Sequence, residues 1–150
     1  MEIDFNAPVA AASQIEIAAD ATTVWDILAN VERWPEWNND VKSVALDGPV
    51  DVGSVFRWKT SAGTITSTFK TLVRPREIGW VGRTLGITAR HVWRLEAADG
   101  RTIVRTSESF NGILVRVFRI PLQRMLEQTL DRGVVKLRAA VEARYRRPRR

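Results

Sequence analysis

Residues 115–143 read VRVFRIPLQRMLEQTLDRGVVKLRAAVEA, and their spacing decides the fold. Phe118, Leu122, Met125, Leu126, Thr129, Leu130, Val134, Leu137 and Val141 recur with the 3.6-residue period of a helix, while Arg and Lys fill the other face. Such a helix persists in water only when its apolar stripe lies on something. Pro121 stands early, where a residue without an N–H either opens a helix or kinks it. Gly133, on the stripe, lets another element approach closely.

The partner for that stripe is written upstream as a meander of strands. Segments 41–46, 54–60, 64–74, 77–81, 87–97 and 102–110 have the alternation or β-rich composition of strands. Between them stand the breakers Asp47-Gly48-Pro49, Ser61-Ala62-Gly63, Arg74-Pro75-Arg76, the stretch 82–86 and Asp99-Gly100. A further strand at 13–19 precedes a helix at 21–30, with Asp20 as its N-cap and Asn30 as its end. Pro35 limits 31–37 to a short helical turn. One strand before the helices and six after give a curved antiparallel sheet of seven strands, an α+β fold. A curved sheet around one helix rarely fills its interior, so a pocket is expected between them.

The chain is one domain in length, with 45% hydrophobic residues for a core. We expect an N-terminal extension over 1–12, a ligand-binding domain over 13–143 and a basic tail over 144–150. The net charge of +6 is mostly that tail: without Arg144, Arg146, Arg147, Arg149 and Arg150 the balance is 18 basic residues against 17 acidic. A nearly neutral body argues against specific nucleic-acid binding, and the tail reads as a solvated terminus, with contact to nucleic acid or an anionic membrane as the alternative reading. No cysteine is present, which excludes disulfides and thiolate chemistry. One histidine without cysteine does not assemble a typical transition-metal site, so no metal and no cofactor is expected. Phosphate-binding glycine loops, HExxH and a nucleophile elbow are missing. Residues 1–13 lack a basic leader region and no apolar run reaches membrane-spanning length, so a cytoplasmic protein is expected.

Strand alternation nominates the site. In 87–97, Ile87, Ala89, His91, Trp93 and Leu95 share one face, which turns the histidine inward. In 102–110, Thr102, Val104, Thr106, Glu108 and Phe110 share a face, which brings a carboxylate into apolar surroundings. His91 and Glu108 are therefore the candidate acid–base residues. Glu108 has a second reading as a structural partner of Arg57 or Arg90, and His91 as a bonded core histidine. Phe56, Trp58, Ile65, Phe69, Trp80, Ala89, Trp93 and Thr106 fall on inward faces and are candidate ligand contacts, joined by Met125, Leu126 and Thr129 of the helix. The alternative for the aromatics and the Met/Leu stripe is ordinary core.

Two segments carry a family likeness: Ala21-Thr22-Thr23-Val24-Trp25-Asp26-Ile27-Leu28 and Glu32-Arg33-Trp34-Pro35-Glu36-Trp37-Asn38. Together with Gly53 and Phe56, His91-Val92-Trp93 and the closing Val141-Glu142-Ala143, they resemble the START/Bet v 1-like (SRPBCC) superfamily, in its polyketide cyclase/dehydrase-like subgroup. The resemblance spans about 13–143 and implies a helix-grip fold: seven strands, two small helices and a long closing helix. It implies a small hydrophobic partner, a lipid, polyketide or aromatic metabolite, held by a monomer or homodimer. The rival it implies is a cyclase/aromatase-type enzyme using His91 and Glu108. The only tyrosine, Tyr145, lies outside the sheet, which removes a phenol as the pocket acid.

Overall fold

The computed structural model describes residues 1–146; Arg147, Arg149 and Arg150 of the expected tail lie outside the described residues. Seven strands form one antiparallel sheet: β1 (Val9–Ile17), β2 (Val41–Asp47), β3 (Val55–Thr60), β4 (Gly63–Val73), β5 (Glu77–Thr84), β6 (Ile87–Ala98) and β7 (Arg101–Asn111). Their order is β1-β7-β6-β5-β4-β3-β2. The first two strands in sequence thus occupy opposite edges. Helix α1 (Ala21–Ala29) and a 3-10 turn (Val31–Glu36) carry the chain from one edge to the other. After β7 come α2 (Ile113–Val117) and α3 (Arg119–Tyr145). This is the expected helix-grip architecture.

Local chemistry accounts for the elements. Asp20 Oδ1 accepts the Thr23 N–H at 2.7 Å and starts α1. Asp99 and Gly100, both at positive φ, make the tight β6–β7 turn. At Gly82 a Cβ would collide with Ser67 Oγ and Ile65 Cγ2, so the glycine lets β4 side chains lie across β5.

Three elements differ from the sequence expectation by more than a residue. Strand β1 begins at Val9 and ends at Ile17, because its pairing with β7 runs from Val9–Phe110 to Ile17–Thr102 through an alanine run with no polar alternation. Strand β5 runs to Thr84, since Gly82 continues the pairing rather than breaking it. The long helix is two helices that meet at Phe118. Pro121 has no N–H to give to Val117, so the helix restarts with proline in its first turn. That restart sets the phase of the stripe. Leu126, Leu130, Val134, Leu137 and Val141 are buried, while Phe118 and Met125, expected to face inward, are exposed.

Aromatic rings gather on the concave side. Trp34, from the 3-10 turn, enters it and meets Phe56, Trp58 and Trp80 at ring-centroid distances of 5.7, 5.4 and 5.3 Å. Its own Nε1–H donates to Leu28 O at 2.9 Å, so the ring is buried without an orphaned donor. It occupies space in which a ligand pocket was expected.

Helix α3 is clasped from both edges. On the β1 side, Gln123 pairs its amide with both Ala10 N and Ala10 O, and Asp131 accepts from Ser13 Oγ at 2.6 Å. On the other side, Lys136 and Arg132 reach Asp40, beside the start of β2, at 2.9 and 3.3 Å. These cations, led by the Lys136 hydrogen bond, hold the Asp40 carboxyl below its ordinary value. Asp40 is partly solvated, so screening limits what the clasp contributes to stability.

Packing should outweigh the charged clasp. Trp34→Ala is expected to lower the unfolding free energy by about 3–5 kcal/mol, and Asp40→Asn by less than about 1 kcal/mol. Urea unfolding of the two variants checks this, and the reverse order would show that the ion pairs hold the grip.

Candidate functional site

The core divides in two. The larger cluster joins Trp34, Phe56, Phe69, Trp80 and Trp93 to α1 and to Val134, Leu137 and Val141 of α3. A smaller one joins Val9 and Val115 to Leu126 and Leu130, with Ile87, Phe110 and Leu122 against it. Strand register explains what lies between them. His91 pairs across the ladder with Glu108, and Trp93 with Thr106. Both pairs face α3 at the junction of the clusters.

There His91 Nε2 lies 2.7 Å from Thr106 Oγ1. His91 Nδ1 lies 3.2 Å from Glu108 Oε2, near enough to interact yet without the alignment of a hydrogen bond. Trp80 and Trp93 flank the imidazole at 4.7 and 5.5 Å, the latter stacked. Burial dominates the electrostatics. It pushes His91 down from 6.5 to about 3 and Glu108 up from 4.5 to about 8. At neutral pH the pair is therefore an uncharged imidazole beside an uncharged carboxylic acid.

Among the described residues, three buried side-chain polar atoms lack a hydrogen bond: Trp37 Nε1, Trp93 Nε1 and His91 Nδ1. The last two belong to this cluster. Other tryptophans do find partners: Trp58 Nε1 donates to Ser67 Oγ at 3.0 Å, as Trp34 does to Leu28. An orphaned buried donor is unusual enough to need a cause.

The alternatives left open by sequence resolve at Glu108. Arg90 points away from the helix and donates to Glu2 O, and Arg57 is exposed on β3, so the carboxyl meets His91. Ala89 and Ile65 are half-buried on inner faces, and Ile87 and Phe110 are half-buried at the same end of the sheet as Glu108. Glu108 and His91 keep 14% and 10% of their side-chain surface accessible, so the pair is not sealed. Phe56 and Phe69 are fully enclosed, Trp58 is half-buried, and all three pack with Trp34 or with each other. Leu126 is buried, Thr129 is half-buried beside Arg132, and Met125 faces solvent.

Two surface concavities lie elsewhere. One of about 360 Å³ follows the β5–β6 turn from Arg83 to Thr88. Another of about 380 Å³ is lined by Ala12, Ser13, Gln14, Arg94, Arg105, Thr106 and Ser107. Neither is formed by the aromatic group around Trp34, whose rings pack on one another on the side of the sheet where the pocket was expected. Sequence reasoning missed Trp34 as a member of that group and Ile87 and Phe110 as the partly open margin. The alternation of β6 and β7 already placed the last two beside His91 and Glu108.

Comparison with known proteins agrees with this architecture. A family model described as polyketide cyclase / dehydrase and lipid transport matches residues 8–142. No curated protein matches the chain. Among solved structures, a hypothetical protein from Helicobacter pylori is 14% identical, with a TM-score of 0.82 over 93% of this chain and 91% of its own. A START superfamily protein from Mycobacterium smegmatis is 15% identical, with a TM-score of 0.73 over 89% and 97%. A Streptomyces aromatase/cyclase is 19% identical, with a TM-score of 0.70 over 91% and 95%. At these identities the structures share the fold. The match over nearly the whole length, on a helix-grip scaffold with seven strands, makes the chain a member of the polyketide cyclase/dehydrase and lipid transport family.

Proposed function

We propose that the protein binds a small, mostly apolar molecule bearing a hydrogen-bond acceptor such as a carbonyl, at the His91–Glu108–Thr106–Trp93 cluster. The single observation behind this reading is the pair of buried, unbonded polar atoms, His91 Nδ1 and Trp93 Nε1, on two rings that stack 5.5 Å apart. The indole N–H and the protonated Glu108 both offer a hydrogen to an acceptor. A neutral site favours a neutral ligand, because a charged one would lose its hydration uncompensated. Access lies along Ile87, Phe110 and Leu122, where α2 buries only Val115 of its five residues. The solved structures similar to this chain include an aromatase/cyclase, which supports a ring-forming or ring-containing ligand class.

A second reading, acid–base catalysis at a ketone, is favoured by the opposed shifts of His91 and Glu108. The neutral imidazole has a free lone pair to accept a proton, and the neutral carboxyl has one to donate. Enolisation would take the proton α to a carbonyl onto His91 while Glu108 protonates the carbonyl oxygen.

Quenching of tryptophan fluorescence by acetylnaphthalene tests binding. Trp93→Phe and Glu108→Ala should each weaken it by about ten-fold, the effect of one lost hydrogen bond. Unchanged affinity in both would place the ligand elsewhere. Proton–deuterium exchange at the ketone methyl, followed by NMR, separates the two readings. An enzyme accelerates the exchange and loses that ability in His91→Ala, whereas a carrier leaves the rate at background.

Stability should also record the neutral pair. His91, lowered from 6.5 to about 3, contributes stability that is present above pH 6.5 and lost as pH falls through its folded value. Glu108, raised from 4.5 to about 8, contributes stability that is present below pH 4.5 and lost as pH rises through its folded value. The contributions of the pair offset one another between pH 4.5 and 6.5 and decline on either side. Glu108→Gln is expected to remove the alkaline decline, about 2 kcal/mol between pH 6.5 and 8. Thermal unfolding across pH measures this, and an alkaline limb unchanged by the substitution would mean that Glu108 is already ionised.

A further inference from the structure

We propose that the protein docks on anionic lipid surfaces through α2, the first turn of α3 and the β5–β6 turn. This face is distinct from the His91–Glu108 cluster and does not draw on the ligand proposed for it. Its apolar side chains stand in water: Ile113 is 82% exposed, Val117 68%, Phe118 52%, Ile120 69% and Leu85 75%. Within α2 only Val115 is buried, so the helix is held to the body by one apolar residue while its neighbours point away.

The pieces form one surface. Gly112, at φ 139°, lies so near the β5–β6 turn that a Cβ there would strike Gly86 O. That approach sets Leu85 beside the start of α2. The charges carried by these segments themselves have one sign. From Ser109 to Leu126 the sequence has no Asp or Glu, but it has Arg116, Arg119 and Arg124. All three are exposed, as is Arg83 at the turn, and none forms an ion pair with a described residue. Three arginines of the convex face, Arg94, Arg101 and Arg105, are by contrast each joined to a glutamate.

Exposed bulky apolar side chains rimmed by unpaired cations match a membrane interface in both its layers. The apolar groups enter the boundary of the acyl chains, and the guanidinium groups meet phosphate. A neutral protein surface would satisfy the first requirement and leave four cations unanswered. For this reason charge complementarity selects anionic lipid over a second copy of the chain. The chain has no described helix long and apolar enough to cross a membrane, so the contact is interfacial.

Cosedimentation with vesicles tests the proposal. The protein should bind phosphatidylcholine vesicles containing phosphatidylglycerol, bind vesicles of phosphatidylcholine alone at least about ten-fold more weakly, and lose affinity as salt rises. The double substitutions Phe118→Ser with Ile120→Ser, and Arg116→Glu with Arg119→Glu, should each reduce binding by about ten-fold or more while leaving circular dichroism unchanged. Substituting Arg144→Glu with Arg146→Glu, at the far end of α3, should leave most of the binding intact. Equal binding to both vesicle types, no loss in the first two variants, or an equal loss in the third would each overturn the proposal. So would light scattering that shows a wild-type dimer dissociated by Phe118→Ser, since the face would then belong to a second copy.

Discussion

A helix with one apolar stripe must span a sheet whose two edges lie far apart in the strand order, and that constraint organises the molecule. Strands β1 and β2 are neighbours in sequence and opposite edges in space. The chain can make that traverse only by passing across the concave side, and α1 and the 3-10 turn do so. Their passage carries Trp34 into the middle of the sheet. Helix α3 then closes the remaining width, bonded to β1 by Gln123 and Asp131 and to the entry of β2 by Lys136 and Arg132. The hydrophobic term supplies the stability, and the polar contacts at the edges fix where the helix lies.

The division of the core follows from the same geometry. The C-terminal half of α3 shares its cluster with the aromatic group, while the N-terminal half packs with β1 and α2. Between the two halves the inner faces of β6 and β7 present His91, Thr106 and Glu108 rather than aliphatic side chains. A polar insertion there weakens packing, since a buried carboxyl and imidazole are costlier than Leu95 and Val104 on the same strand faces. Natural sequences keep such departures from a uniform core where function needs them.

Much of this was legible in the sequence because it rests on period. Two-residue alternation gave the strand faces, so His91, Trp93, Thr106 and Glu108 could be assigned inward before any coordinates. The Asp20 cap and the Asp99-Gly100 turn were readable from local chemistry. What escaped depended on contacts between distant segments. Whether Glu108 meets His91, Arg57 or Arg90 is a matter of which face each strand turns to its neighbour. The entry of Trp34 into the concavity depends on the angle at which a 3-10 turn approaches it, and no spacing records that angle. Met125 was misassigned because the stripe was read as continuous through Phe118, whereas the restart around Pro121 rotates the first turns of α3.

The amide of Gln123 holds both the N–H and the C=O of Ala10, main-chain groups on the outermost strand. An unpaired strand edge is a template for another chain, and here one side chain answers both edge groups of Ala10. Any motion that swings the start of α3 outward also bares them. Were the proposed ligand to enter by that end, one glutamine would tie its admission to exposure of strand edge.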